Sequence, residues 1–258
     1  MPQLDFRSPR LFVDAPLVAG TQVPLTREQA NYLGNVLRLS PGGRVLAFNG
    51  SDGEWQALIV GGKRLERLEM LLQTRPQDRL PDVTYAYAPL KHARLDYMVQ
   101  KAVELGAAAL VPVLTRFTQA TRVNTERMRA NVIEAAEQCG ILSLAAVEEP
   151  TKLERWLTAR DGQRLLVFCD EDAEIADPVA ALAGARDRAQ AGIDVLIGPE
   201  GGFAEEERDL LLRQPSVLRL ALGPRIMRAD TAAVAALALV QAVLGDWRSQ
   251  SDLPETSH

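Results

Sequence analysis

Histidine and cysteine are scarce, with two of each in 258 residues. Cys139 and Cys169 form neither a CxxC pair nor a disulfide framework. With so few histidines the Cys/His spacing of a zinc site is absent, so a reduced, cytoplasmic setting without a metal is expected. Long apolar runs are missing too. The longest charge-free one, Thr231 to Gly245, falls short of the about 20 residues that span a membrane, and no membrane contact is expected. The stretch from Met1 to Phe12 carries Asp5, Arg7 and Arg10 where a secretory leader would need an apolar core.

What remains is ordinary globular material. The hydrophobic share is 47% and the charged share 24%, which excludes a disordered or fibrous chain. The length suits one large domain or two smaller ones. A net charge of −5 argues against a protein that coats nucleic acid, but the sum hides an asymmetry. Residues 1–75 hold nine Lys/Arg against seven Asp/Glu, and the acidic excess lies in the remainder. A second basic cluster, Arg116, Arg122, Arg127 and Arg129, has Glu126 as its only acidic sequence neighbour. Such patches suit a local nucleic-acid contact, or else a solvated face.

Residues 1–75 read as a small β-rich domain. β-prone runs lie at Arg44–Phe48, Trp55–Val60 and Leu68–Leu72, with turn chemistry at Asn49–Gly53. Thr26 and Gln29 form a capping-box start, followed by Leu33, Val36 and Leu37 at helical spacing. The mix predicts a small barrel with one helix. Pro76 and Pro81 mark a linker over residues 76–82. From Val83 strands and helices alternate. Strands are expected at Val83–Ala88, Ala108–Val113, Leu165–Phe168, Asp194–Ile197 and Val217–Leu222. Helices are expected at Leu95–Leu105, Thr125–Gln138, Thr151–Thr158, Pro178–Gln190 and Ala204–Arg213, the third opening on a Thr151/Glu154 capping box. This alternation predicts a mainly parallel α/β sheet over residues 83–248, with a frayed polar tail at 249–258.

The segment Ile197-Gly198-Pro199-Glu200-Gly201-Gly202-Phe203 follows a buried strand and precedes a helix. Open α/β sheets bind ligands at such carboxyl ends, and glycine lets a ligand approach the backbone. A plain strand-to-helix turn would look similar. The segment contains neither a P-loop nor a GxGxxG motif, and Glu205, Glu206 and Glu207 fill the first turn of the next helix, where they repel phosphate. A ligand with little or no negative charge fits better, and S-adenosylmethionine is such a ligand. A second loop, Leu220 to Thr231, places Gly223, Pro224, Arg225, Ile226, Met227 and Arg228 before an alanine-rich helix (Ala232–Leu244), with Asp230 or Thr231 as its N-cap. The two arginines suit RNA phosphate, or pairing with a carboxylate such as Glu200.

Together Ile197–Phe203 and Leu222–Thr231 resemble the paired signatures of the ribosomal small subunit methyltransferase E (RsmE) family of SPOUT methyltransferases. Val36-Leu37-Arg38-Leu39, Lys101–Gly106 and Glu134–Gln138 resemble three further motifs of that family, in the same order. Asn31, Met227, Asp230 and Ile141 depart from its pattern, where histidine, leucine, glutamate and arginine are usual. The resemblance implies an α/β fold with a PUA-like β-barrel domain at residues 1–75 and a SPOUT-type, trefoil-knotted, mainly parallel sheet at 83–248. It implies a homodimer, S-adenosyl-L-methionine as cofactor, and N3-methylation of a uridine in 16S ribosomal RNA, within the small ribosomal subunit.

Under this resemblance Leu196, Ile197, Gly198, Pro199, Gly201 and Gly202, with Leu220, Leu222, Gly223, Ile226 and Met227, hold the cofactor. Arg225 and Arg228 suit stabilisation of a developing oxyanion, and Glu200 is the candidate base. Arg38, Arg116 and Arg122 are assigned to RNA phosphate. Lys101 and Glu104 read as an intrahelical ion pair, and His92 as a surface loop residue rather than a catalyst. Three alternatives stay open: an RNA-binding protein without catalysis, a superfamily methyltransferase acting on another nucleotide, and an α/β enzyme using a different nucleotide at the glycine loop.

Overall fold

The computed structural model describes Asp5 and residues 7–62, 64–91, 93–120, 122–174 and 177–247. His92 and the 249–258 tail lie outside the described residues. The chain divides into two compact units. One is Met1–Arg79 with Ile133–Leu144, and the other is Leu80–Val132 with Ala145–His258.

The first unit contains strands β1 (Arg10–Phe12), β2 (Gln22–Pro24), β3 (Arg44–Phe48), β4 (Glu54–Gly61) and β5 (Leu65–Arg75), with helix α1 (Arg27–Asn31). The expected helix start is present: Thr26 Oγ1 accepts from the Gln29 amide, and the Gln29 side chain accepts from the Thr26 amide. The helix then widens into a π turn over Tyr32–Val36, which buries Leu33 but leaves Val36 62% exposed. Arg38 follows with φ +57°, a left-handed conformation that costs a side-chain-bearing residue about 1–2 kcal/mol. The strands pair in the order β1-β3-β4-β5-β2, so among the described residues the expected barrel is a curled sheet with β1 and β2 as edges. β1 and β2 were too short to leave a sequence period.

Residues 133–144 join this unit through specific bonds that no sequence pattern announces. Glu137 accepts from the Phe12 amide at 2.8 Å, and Asp78 accepts from the Leu142 and Ser143 amides at 2.9 and 2.8 Å. Ile141 packs with Phe48, Ala136 and Leu142, where an arginine is usual in the resembling family.

The second unit is a parallel sheet with helices. Its strands are β6 (Val83–Tyr87), β7 (Ala109–Leu114), β8 (Ala146–Val147), β9 (Thr151–Lys152), β10 (Leu165–Cys169), β11 (Ile193–Ile197) and β12 (Val217–Leu220). Its helices are α2 (Ala93–Glu104), the start of α3 (Thr125–Cys139, which from Ile133 belongs to the first unit), α4 (Leu153–Ala159), α5 (Pro178–Gly184), α6 (Glu205–Leu212) and α7 (Ala229–Val243). The order is β12-β10-β11-β6-β7-β8, with β9 also on β7, every pair parallel. Parallel pairing explains the continuous apolar runs, since helices cover both faces. No helix among the described residues is long and apolar enough to cross a membrane.

Three boundaries differ from expectation. Thr151 lies in β9, so α4 starts from Lys152 without a side-chain cap and the Thr151/Glu154 box is not formed. The Pro178–Gln190 helix breaks after Gly184 into a separate turn at Arg186–Ala189. α7 begins one turn early, with Arg228 at its N-cap, leaving Asp230 and Thr231 inside the first turn.

Candidate active site

Strands β11 and β12 flank β10, and all three run parallel. Their carboxyl ends therefore lie side by side, although β10 and β12 are separated by some fifty residues of chain. The loops leaving them line one cavity of about 390 Å³. From the β11 loop come Ile197, Gly198, Pro199, Glu200, Gly201 and Gly202, and from the β12 loop Leu220, Leu222, Gly223, Arg225, Ile226 and Met227. Leu196 is not among the lining residues. It is fully buried, in register with Phe168 of β10 and in the same core cluster as Leu166 and Phe168. Arg228 does not line the cavity either, but sits between Met227 and Ala229, which do.

The glycines are required by geometry. A Cβ on Gly198 would run into the ring of Phe203, which packs edge-on against Phe168 at 5.2 Å. Gly202 and Gly223 hold φ of +71° and +110°, and no atom lies within 4 Å of where Gly223 would carry a Cβ. The bare backbone at Gly223 is thus open to a ligand.

β10 adds residues that sequence reasoning passed over. Asp170 is 6% exposed and accepts from Arg208 and Arg219, both at 2.9 Å. Asp172 accepts from Arg208 at 2.5 Å. Cys169 also lines the cavity, and burial, then the Asp170 charge, push its thiol up to about 12, so it stays protonated. The run Cys169-Asp170-Glu171-Asp172 directly after a buried strand was the available signal; only the strand order showed its relevance.

Electrostatics correct several expected pairings. Glu200 accepts from Arg94 Nη1, near the start of α2, and not from Arg225 or Arg228. Arg94 Nε also lies 3.9 Å from Asp230, whose shorter side chain stops outside hydrogen-bond range. Arg225 and Arg228 are exposed, and their side chains have no ion pair or hydrogen bond among the described residues. In the basic cluster, Arg116 lies 3.6 Å from Glu206, Arg127 is held at two points by Asp96, and Arg129 pairs with Glu149. Arg122 and, in the first unit, Arg38 are exposed and have no such partner. The Lys101–Glu104 ion pair forms as expected, at 2.6 Å.

The first turn of α6 is acidic, but Glu207 is turned inward. It accepts from the Ala204 and Arg116 amides at 3.0 and 2.8 Å. Glu205 and Glu206 remain exposed at the positive end of the helix, where an anion would otherwise settle.

The chain thus has a glycine-lined cavity at the carboxyl edge of a parallel sheet and, as a separate unit, a curled β sheet; the family matches define these as an RNA methyltransferase domain and an RNA methyltransferase PUA domain. The family described as RNA methyltransferase domain matches residues 77–241, and that described as RNA methyltransferase PUA domain matches 25–66. The chain is 31% identical over 240 residues to ribosomal RNA small subunit methyltransferase E of Synechocystis sp., covering 91% of this chain and 78% of that one. It is 29% identical over 234 residues to the protein of the same name from Rickettsia conorii, covering 90% and 94%. A crystal structure of the Neisseria gonorrhoeae ribosomal RNA small subunit methyltransferase E bound to S-adenosyl methionine superposes with a TM-score of 0.83, at 26% identity, over 94% of this chain and 100% of that one. The chain belongs to the ribosomal RNA small subunit methyltransferase E family.

Proposed function

We propose that this chain transfers a methyl group from S-adenosyl-L-methionine to N3 of a uridine in 16S ribosomal RNA. The observation that carries the reading is the meeting of the β10, β11 and β12 loops around one cavity with open glycine backbone. The donor set fits the cofactor. Glu171 lines the cavity with an exposed carboxylate that has no ion pair among the described residues, which suits a ligand bearing a sulfonium and an ammonium; Asp172 and Glu200 also line it, paired with Arg208 and Arg94. The knot that the family resemblance implies would thread these loops together. When bound, the cofactor supplies an electrophilic methyl group on a cationic sulfur.

The chain's own residues hold the cofactor and prepare the acceptor. Ile197 to Gly202 and Leu220 to Met227 present backbone groups to adenine and ribose. A uracil N3 attacks only once its proton has left, and the charge then spreads onto O2 and O4. Arg225, on the cavity wall and without a partner, and Arg228, at the N-cap of α7, supply guanidinium groups for that charge. Glu200 remains the candidate base, held in place by Arg94. Arg38, Arg116 and Arg122 contact RNA phosphate.

The same reading includes a homodimer in the cytoplasm, acting on the small ribosomal subunit. Ile226, 92% exposed at the cavity, and Trp247, 54% exposed after α7, are apolar groups that a second copy would cover. The test is direct. Small ribosomal subunits from a strain lacking this protein, incubated with the purified chain and labelled cofactor, should gain one N3-methyluridine in their 16S RNA. Label in no RNA, or in another base, would overturn the proposal.

A further inference from the structure

The carboxyl edge of the parallel sheet carries a second cavity, of about 870 Å³. That volume lies in the range of about 300–1,000 Å³ of small-molecule sites. It is lined from the junction of β6 with α2 and from residues 119, 120 and 122–128, between β7 and the start of α3. β6 and β7 follow β11 in the strand order, so this cavity comes next along the same edge as the cofactor cavity. Two side chains lie between the two. Arg94, beside the lining residue Leu95, reaches Glu200 in the glycine loop. Phe117, after β7, has its Cβ 3.4 Å from where Gly201 would carry a Cβ, and the residue is 45% exposed.

The cavity offers three kinds of contact. Lys91 and Arg122 are exposed cations without an ion pair among the described residues, unlike Arg127, which Asp96 neutralises. Leu95 and Val123, both partly buried, supply an apolar wall. Gln119 supplies an exposed side-chain amide. Free cations beside an apolar wall and an exposed aromatic ring are what an unstacked nucleotide requires: charge for the phosphate, and flat apolar surface for the base.

We infer that this second cavity holds the nucleotide adjacent to the methylated one on the same RNA strand. Lys91 and Arg122 bind its phosphate, the apolar wall takes its base, and Phe117 is the stacking face between the two sites. The inference rests on the methyl-transfer reading and adds the path of the strand and a site at which flanking sequence is read.

The test uses the full chain, small ribosomal subunits whose 16S RNA lacks the modification, and a uridine trinucleotide as a short probe. The Lys91→Gln/Arg122→Gln double variant should raise KM for RNA about tenfold and lower the log–log salt slope of binding by about 0.7 for each lost phosphate contact. Ala120→Trp, which fills the cavity, should raise KM similarly while S-adenosylmethionine affinity, read by calorimetry, stays within twofold. Both variants matching the parent in KM and slope would overturn the inference, and the exposed double variant keeps it testable if Ala120→Trp misfolds. Trinucleotide binding separates the two readings. Trinucleotide binding weakened tenfold by the double variant, with no methyl transferred by the parent to small ribosomal subunits, would keep the cavity site and overturn the reaction.

Discussion

The guanidinium of Arg94, on α2, donates to the carboxylate of Glu200 in the loop after β11, joining elements more than one hundred residues apart. Both side chains are 41% exposed, so the pair contributes little to global stability, on the order of 0–1 kcal/mol. Its consequence is local, because Glu200 sits on the loop that lines the cofactor cavity. Arg94→Ala should shift the unfolding temperature by no more than a few degrees yet weaken cofactor binding several-fold. Calorimetry with S-adenosylmethionine, beside a thermal melt, checks both halves. Unchanged affinity would make the pair a surface ornament.

Gly202→Val probes the backbone instead of the space around it. Only Glu171 Oε1, at 3.8 Å, lies near an added Cβ, but a β-branched residue at φ +71° costs about 1–3 kcal/mol. Cofactor affinity should fall at least tenfold while the protein stays folded. Gly198→Ala fails for a different reason, collision with the Phe203 ring. A Gly198→Ala/Phe203→Leu double variant should therefore bind better than Gly198→Ala alone, a non-additivity that a double-mutant cycle measures.

Arg228→Ala should lower turnover by about 10²–10³ with cofactor affinity within a few-fold, the usual effect of removing one preorganised donor to a developing oxyanion. Lysine should rescue poorly, since it lacks the planar fork. Activity should recover in part at higher pH, where uracil ionises unaided. Loss of RNA binding with an intact single-turnover rate would instead make Arg228 a phosphate clamp.

Arg38 combines an exposed, unpartnered cation with a left-handed backbone. Arg38→Gly relieves about 1–2 kcal/mol of backbone strain and adds about 0.5–1 kcal/mol of chain entropy to the unfolded state. It should be at least as stable as Arg38→Gln by urea unfolding, an inversion of the usual ranking. Both variants should weaken RNA binding and flatten its salt slope equally, because both lose the same charge.

Glu54 is 2% exposed in the first unit and takes hydrogen bonds from Arg10, Arg75 and Thr74. Burial raises its proton affinity, but the bonds from Arg75, Thr74 and Arg10 outweigh it and hold the carboxyl below its ordinary 4.5. A depressed folded value means stability present above pH 4.5 and lost as pH falls through the folded value. Acid unfolding followed in the parent should show that loss, and Glu54→Gln should show less of it. At pH 7 the substitution should cost about 3–5 kcal/mol by leaving Arg10 buried beside a neutral partner.

The chain by itself determined the parallel sheet, since strands covered on both faces must be apolar throughout, and Val83–Tyr87, Leu165–Cys169 and Ile193–Ile197 are so with few exceptions. It also determined the α1 start, because the Thr26–Gln29 capping box is a local bond between residues three apart. The glycine loop stood out for the same reason, as a bare backbone between a buried strand and an acidic helix turn. Tertiary structure alone decided what is non-local. The insertion of β10 between β11 and β12 brought Asp170 and Arg208 to the cavity, and residues 133–144 joined the first unit through bonds spanning more than sixty residues of chain. Charge pairing was equally hidden. Arg116, Arg127 and Arg129 form a basic cluster along the chain, but Glu206, Asp96 and Glu149 meet them in space, and Arg94 takes the Glu200 carboxylate that the sequence also offers to Arg225 and Arg228. Side-chain periodicity reports which face of an element is buried; it carries no information about which distant element covers that face or neutralises its charge.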